Sequence, residues 1–314
     1  MENTISTPTI KQVKANLPQL EGVFTGAQLL NRKQTKILNL LNPIFPKVGL
    51  VALGGSSDTG KSSLLRQFAI SVALNKSEFL DFKINTVHHK AIYVSTEDDE
   101  YSTTSLLKKT QRLTGNKEAN YENIKFVFNT ENLLGTLATL LEQEPVDLIV
   151  IDAYSDVFTG QGNDSSQVRS FLNQYSQLAQ KYKCLIIFLH HTGKRTEDLT
   201  PSKNNLLGSQ GFEAKMRLVL ELRLDREDPN KRHLCVVKGN YLPQEFKQKS
   251  YVLIFDKNQC FTMTNEKVPF ENLANHDKTV IKNRIIALKK EGKTQNQIAK
   301  ELGISQPTVS RSLK

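Results

Sequence analysis

The sequence predicts an α/β protein: a mainly parallel sheet covered by helices, antiparallel strands at one edge, and a small all-helical unit at the C-terminal end. Three observations carry this. Short apolar runs alternate with helical patterns from Val48 to Leu189. A glycine-rich junction, Gly55-Ser56-Ser57-Asp58-Thr59-Gly60-Lys61-Ser62, joins the first of those runs to a strong helical pattern. After Leu218 the long helices stop and strand-like segments follow across short polar turns, until a compact helical pattern begins near Asp277.

In chain order, residues 1–24 are polar and weakly periodic, and are expected as a flexible arm. Apolar Leu29, Leu30, Ile37, Leu38, Leu40 and Leu41 predict a helix over Thr25 to Leu41, stopped before Pro43. Val48 to Leu53 reads as a strand, and Leu64, Leu65, Phe68, Ala69, Val72 and Ala73 as a helix face. Four more strands are predicted over Ala91–Ser95, Ile124–Phe128, Asp147–Ile151 and Cys184–Leu189, separated by helices over Thr103–Leu113, Glu131–Gln143 and Ser166–Tyr182. Repeated βα units imply parallel strands. Leu218–Leu224, His233–Lys238 and Tyr251–Phe255, with a polar turn at Asp228-Pro229-Asn230, read as an antiparallel extension. Residues 25–264 then form one domain, 265–276 a linker and 277–314 a second domain.

A chain of 314 residues has room for one large core and a small second domain. Its 42 basic against 32 acidic residues give +10, which suggests a polyanionic partner. From Asp277 to Lys314 seven Lys and two Arg face one Asp and two Glu, so 9 − 3 = +6 sits there. A solvated Lys-rich surface has the same composition. Cys184, Cys235 and Cys260 are far apart and form no C-x-x-C pair, as expected of reduced thiols in a cytoplasmic protein. No signal-peptide pattern or membrane-length apolar run is present in the sequence, so no membrane partner is expected.

The junction fits G-x-x-x-x-G-K-[ST] between a strand and a helix, the setting of a phosphate-binding loop. Backbone N–H groups from Gly55 to Ser63, with the positive end of the following helix, would cradle the triphosphate of ATP. Lys61 would reach the β- and γ-phosphates, and the Ser62 hydroxyl would take one Mg²⁺ position. Asp152 closes the apolar run Leu148-Ile149-Val150-Ile151, where a carboxylate can hold Mg²⁺ through water; a turn aspartate is the alternative. Glu97 follows the Ala91–Ser95 strand and heads the cluster Glu97-Asp98-Asp99-Glu100. A carboxylate there could take a proton from an attacking water. The cluster also suits a helix N-terminus, and both readings hold if Asp98 to Glu100 serve the helix.

The phosphate loop, Ser95-Thr96-Glu97-Asp98, Leu148 to Asp152, Phe188-Leu189-His190-His191-Thr192-Gly193-Lys194 and Gly208-Ser209-Gln210 follow in the order and spacing of RecA-like ATPases. Across roughly Gln28 to Thr264 the chain resembles the plasmid RepA type of hexameric helicase and, more distantly, the DnaB type. The resemblance implies a RecA-like P-loop core, ATP hydrolysis with Mg²⁺ between subunits of a ring, and a homo-oligomer with six members as the family pattern. It implies Glu97 as the activator of water, His191 as sensor of the γ-phosphate, and Lys238 as a cation reaching the neighbouring subunit's nucleotide. The family's arginine position two residues on is Asn240 here, which leaves Arg217 or Arg223 to substitute. The channel loops of such rings would be about Tyr154–Ser166 and Lys194–Leu207. The second carries Lys194, Arg195 and Lys203, suited to a single-stranded phosphate backbone; the first has no Lys or Arg, only Tyr154 and Phe158 for stacking. Ordinary surface loops share this composition.

In the last 38 residues, Val280, Ile281, Ile285 and Leu288 make one helical face. Gly292 breaks it, Thr294 caps a second helix through Leu302, Gly303 turns the chain, and Ser305 caps a third. The pattern resembles the helix-turn-helix ends of resolvases and sigma-factor-like regulators. Gln306, Thr308, Ser310 and Arg311 would face duplex DNA, with Gln and Arg able to read base edges. A protein-interaction tail is the alternative. Taken together, the expectation is an ATP-dependent DNA motor or replication ATPase of a plasmid or other mobile element. An ATP-switched DNA-binding regulator, or a loader or recombination-mediator ATPase that does not unwind, fits the same motifs.

Overall fold

The computed structural model describes residues 22–33, 36–114, 118–193, 196–208, 210–274 and 276–313, which fall in two units, residues 1–37 and 38–314. In the first unit, helix α1 (Gly26–Leu30) opens with a capping box. Thr25 Oγ1 accepts from Gln28 N at 3.2 Å, and Gln28 Oε1 accepts from Thr25 N at 2.7 Å. The helix expected over 25–41 is therefore a five-residue turn, and its distal Leu40 and Leu41 lie in a strand instead. Most of the expected N-terminal arm, residues 1–21, lies outside the described residues.

The second unit runs through β1 (Asn39–Asn42), β2 (Phe45–Pro46), β3 (Gly49–Gly55), α2 (Lys61–Ala73), β4 (Glu78–Phe79), β5 (Phe82–Ile84), β6 (Ala91–Ser95), α3 (Glu100–Thr114), β7 (Ile124–Val127), α4 (Leu133–Gln143) and β8 (Leu148–Asp152). There follow α5 (Tyr154–Val157), α6 (Ser165–Tyr182), β9 (Leu185–His191), α7 (Gln210–Lys215), β10 (Leu218–Leu224), β11 (Lys231–Gly239), β12 (Lys249–Phe255) and β13 (Phe261–Pro269). Among the described residues the main sheet has the order β13-β12-β11-β10-β3-β9-β8-β6-β7. It is parallel from β10 to β7 and antiparallel from β10 to β13, the predicted mainly parallel sheet with antiparallel edge strands.

Helices on both faces explain the unbroken apolar runs of the central strands. Val51 and Leu53 of β3 join one core with Leu65 and Phe68 of α2, whereas Leu50 and Ala52 join the other with Leu172 and Tyr175 of α6. The strand period of two thus sends alternate side chains to opposite cores. On α4, Leu133, Leu137 and Leu141 recur every four residues and are buried in the second core. A smaller sheet, β2-β1-β5-β4, covers the other end of α2. There Phe68 packs between Phe45 and Phe79 at ring separations of 5.2 and 5.0 Å.

β13 continues to Pro269 and a 3₁₀ turn follows over Phe270–Leu273, so most of the linker expected over 265–276 is strand and turn. Three helices come next: α8 (His276–Lys290), α9 (Gln295–Leu302) and α10 (Gln306–Ser312). Thr294 and Gln297 form a capping box, and Gly303 ends α9 at φ 63°, a conformation glycine adopts without penalty. Ile285, Leu288, Ile298, Ala299 and Val309 make the small core. Ser305 sits at the start of α10, yet its hydroxyl pairs with Thr308 Oγ1 at 2.8 Å and makes no capping bond to the backbone. No described helix is long and apolar enough to cross a membrane.

Candidate nucleotide site

Four parallel strands bring the chemistry to one sheet edge. Register pairs Gly55 of β3 with His191 of β9, and Ser95 of β6 with Asp152 of β8, so the phosphate loop, His191, Asp152 and Glu97 all follow carboxyl ends of neighbouring strands. The loop from Gly55 to Gly60 turns through Asp58 at φ 62° and Gly60 at φ 90°, which starts α2 at Lys61. A side chain at Gly55 would meet the Leu222 carbonyl at 2.5 Å, so only glycine fits there. Thr59 Oγ1 donates to Ser56 O at 3.0 Å, and Lys61 Nζ donates to the same carbonyl at 2.6 Å. Ser57, Asp58, Ser62 and Ser63 complete the loop and the first turn of α2.

Lys61 is buried, and burial holds its ammonium below the usual range, against the pull of Asp152, Glu97 and Asp58. Burial likewise raises the Asp152 carboxyl, opposed by hydrogen bonds from Tyr93 and Ser62. Tyr93 Oη donates to Asp152 Oδ2 at 2.6 Å, while Asp152 Oδ1 is buried with no partner in the protein. An orphaned carboxylate oxygen beside a serine hydroxyl is a donor set of the hard-oxygen kind that Mg²⁺ takes, so Ser62 and Asp152 fit the expected metal position. Thr96 N donates to Asp152 O at 2.8 Å, tying the strand end before Glu97 to the strand end of Asp152. Glu97 is largely exposed, and its Oε1 lies 3.8 Å from His191 Nε2. Asp99 instead accepts from Ser102 N at 2.7 Å at the start of α3, the helix-serving role expected of the cluster.

His190 differs from its neighbour. Its Nδ1 accepts from His191 N at 2.9 Å, and its ring lies 4.4 Å from Phe212 and 4.9 Å from Tyr154. Burial pushes its pKa down to about 4, so it is neutral, and its Nε2 is buried without a partner.

The family model described as AAA domain matches residues 17–197. The chain belongs to the AAA domain family. A solved structure, the ATPase domain of a phage replicative helicase, is similar to it with TM-score 0.54 at 14% identity, over 70% of this chain and 86% of that one. That likeness supports the RecA-like fold. No curated protein matches. The AAA domain match ends before β10, so the roles of residues beyond it rest on geometry.

That geometry revises several expectations. Tyr154 is buried among Phe158, Phe171, Phe188, His190 and Phe212, so it is not a free base-stacking side chain. Arg223 is also buried: its Nε donates to Glu221 Oε1 at 2.7 Å, and its guanidinium reaches the carbonyls of Thr196, Glu197 and Leu199. It lies toward the phosphate-loop end of β10, because β10 runs parallel to β3 with Glu221 opposite Gly54. In a head-to-tail ring the residue serving a neighbour sits on a different patch from the subunit's own nucleotide face, so Arg223 is unsuited to that part. Arg217, at the other end of β10, lies against Gly49, where a Cβ would be 2.9 Å from its Cδ.

Lys238 pairs across from Val219 near that same far end, and its Nζ is held by Glu213 Oε2 at 3.1 Å. Lys203 Nζ is held by the other oxygen of the same carboxylate at 3.0 Å. Glu213 carries no motif signal in the sequence; only the fold brings it to both lysines. Lys194 and Arg195 lie outside the described residues. On α10, Gln306 and Arg311 are exposed, whereas Thr308 and Ser310 are half-buried. Gln306 Nε2 donates to Gln295 Oε1 at 2.6 Å, and Arg311 Nε to Pro307 O at 3.0 Å.

Proposed function

We propose that this protein is a RecA-like ATPase that works on DNA as a ring, with ATP bound at each subunit interface, in the manner of the RepA-type replication helicases of plasmids and mobile elements. The observation that carries the reading is the convergence of Lys61, Ser62, Asp152, Glu97 and His191 at one sheet edge. Lys61 and the backbone of the phosphate loop hold the triphosphate. Ser62 and Asp152 hold Mg²⁺, which when bound neutralises charge on the phosphate oxygens. Glu97 is exposed and accepts a proton from water, and His191 at 3.8 Å senses the terminal phosphate. Lys238 serves the neighbouring subunit.

Single-stranded DNA is read through Lys203, with Lys194 and Arg195, in the ring's channel, and duplex through the helix-turn-helix formed by α9 and α10. Exposed Lys282, Arg284, Lys289 and Lys290 on α8 supply phosphate contacts. A second reading, an ATP-switched DNA-binding regulator, is favoured by the loop after β8. Residues 153–164 contain Asp156 and Asp164 and no basic residue, a poor lining for a single-strand channel.

Steady-state ATPase measured without DNA, with single strands and with duplex tests both readings, with Glu97→Gln as the blank. Stimulation by single strands, lost in Lys61→Ala, is the expected result. Turnover indifferent to single strands favours the regulator, and undiminished turnover in Glu97→Gln removes Glu97 as the base.

A further inference from the structure

The Glu213 carboxylate holds two cations that the proposed function assigns to different ligands. Oε1 accepts from Lys203 at 3.0 Å and Oε2 from Lys238 at 3.1 Å; Lys238 also donates to the Glu213 carbonyl at 2.5 Å. Burial pushes the Glu213 carboxyl up, but the hydrogen bonds from Lys203 and Lys238 outweigh it and hold the group below the usual carboxylate range. The carboxylate is mostly shielded from water, at 16% side-chain exposure, and Lys238 at 18% is nearly as enclosed.

The backbone beneath Glu213 is fixed. Phe212 is buried, with its ring 4.6 Å from Tyr154 and 4.4 Å from His190, and this anchors α7 against the carboxyl ends of β8 and β9. The Lys203 backbone is fixed as well. The adjoining Asn205 is buried and donates to Glu221, which is locked to Arg223. The lysine side chains are the parts that can leave, and the carboxylate cannot follow both.

We propose that Glu213 is a positioning residue that occupies Lys203 and Lys238 in place of phosphate and makes their two engagements antagonistic. The idea rests on the proposed function, in which Lys203 meets the nucleic-acid backbone and Lys238 the nucleotide of the adjoining subunit. With both lysines at home, one negative charge is shared by two positive charges. When a DNA phosphate takes Lys203, the carboxylate is left with Lys238 alone, and drawing Lys238 away then strands a shielded negative charge. The converse holds when Lys238 leaves first. A subunit therefore grips DNA through Lys203 or serves its neighbour through Lys238 more readily than it does both.

The test compares binding of fluorescent oligothymidylate to the full-length protein, with and without a non-hydrolysable ATP analogue, in wild type, Glu213→Gln and Lys203→Gln. The measured quantity is the ratio of Kd with analogue to Kd without. Removing the carboxylate charge should lower that ratio about two- to fivefold, the worth of a part-exposed ion pair. Lys203→Gln should weaken oligonucleotide binding in both states and bring the ratio to the Glu213→Gln value, because the competing cation is gone. A ratio unchanged in either variant, with wild type binding both ligands, overturns the role of Glu213 alone. A wild-type protein that binds the analogue but no oligothymidylate overturns the single-strand reading and this inference with it.

Discussion

Tyr93 Oη and Asp152 Oδ2 share a 2.6 Å hydrogen bond that commits one carboxylate oxygen to the protein and leaves the other, Oδ1, buried and unpaired. The phenol itself is buried, and burial first, then the Asp152 charge, pushes its ionisation well above the usual range, so it stays a donor. Second partners of this kind fix the orientation of a metal-binding carboxylate. Tyr93→Phe should leave the fold intact and weaken the Mg²⁺ requirement of nucleotide binding by about 10- to 100-fold in metal affinity. A Mg²⁺ titration of fluorescent ATP-analogue binding measures this, and an unchanged midpoint would show that Asp152 needs no such support.

Arg223 is expected to act on the fold and not on a neighbour's nucleotide. It spans Glu221 and three carbonyls of the segment after β9, all shielded from water. Arg223→Ala leaves Glu221 buried without its cation, a change that costs about 3–5 kcal/mol. Urea unfolding gives the number. If stability is unaffected while DNA-stimulated turnover collapses, the arginine belongs to the interface after all.

His190 makes stability depend on pH. Its folded pKa, about 4, lies below the ordinary histidine value, so the unfolded chain binds its proton first as pH falls. The contribution is complete above about pH 6.5 and is lost progressively toward pH 4, by on the order of 3 kcal/mol. His190→Phe keeps an aromatic ring between Tyr154 and Phe212 and removes the titration. The difference in unfolding free energy between wild type and variant should therefore swing in the variant's favour between pH 7.5 and 4, and a constant difference would refute a neutral buried His190.

The basic C-terminal helices should carry the duplex affinity. Lys289 and Lys290 on α8 and Arg311 on α10 are exposed, and replacing all three with Gln removes three cations able to neutralise phosphate. The slope of log K against log salt should fall by about 0.9 for each phosphate that goes without its cation. A slope equal to wild type would move duplex binding elsewhere.

The parallel half of the sheet was legible because strands buried on both faces, such as Leu148-Ile149-Val150-Ile151, read as continuous apolar runs bounded by polar turns. The phosphate loop and Asp152 were legible for the same reason, since their places follow from strand ends. Leu40 and Leu41 misled: as an apolar pair they fit a helical face, but residues 39–42 pair with residues 45–46 and 83–84, and tertiary packing overrode the local pattern. Strands of two to four residues such as β2, β4 and β5 hold too few side chains to display a period. Likewise β13, with Thr264, Asn265, Glu266 and Lys267 along its length, looks like polar linker because it is the sheet's outermost strand. Arg223 and Lys238 were singled out by spacing alone. Their partners, Glu221 and Glu213, become evident only when β10 and α7 are in place.

The extent of β13 bears on how the terminal helices can be used. The turn after it ends at Leu273 and α8 opens at His276, so positions 274 and 275 are all the chain that lies between. Two extended residues reach about 7 Å. A leash that short cannot let the helices search the volume around the molecule as a flexibly tethered domain does, nor does it let six copies crowd onto one stretch of duplex. In a ring, each helical unit would be stationed at its own subunit's rim, and a duplex would be met by one or two neighbours at a time, in the order in which they stand around the circle.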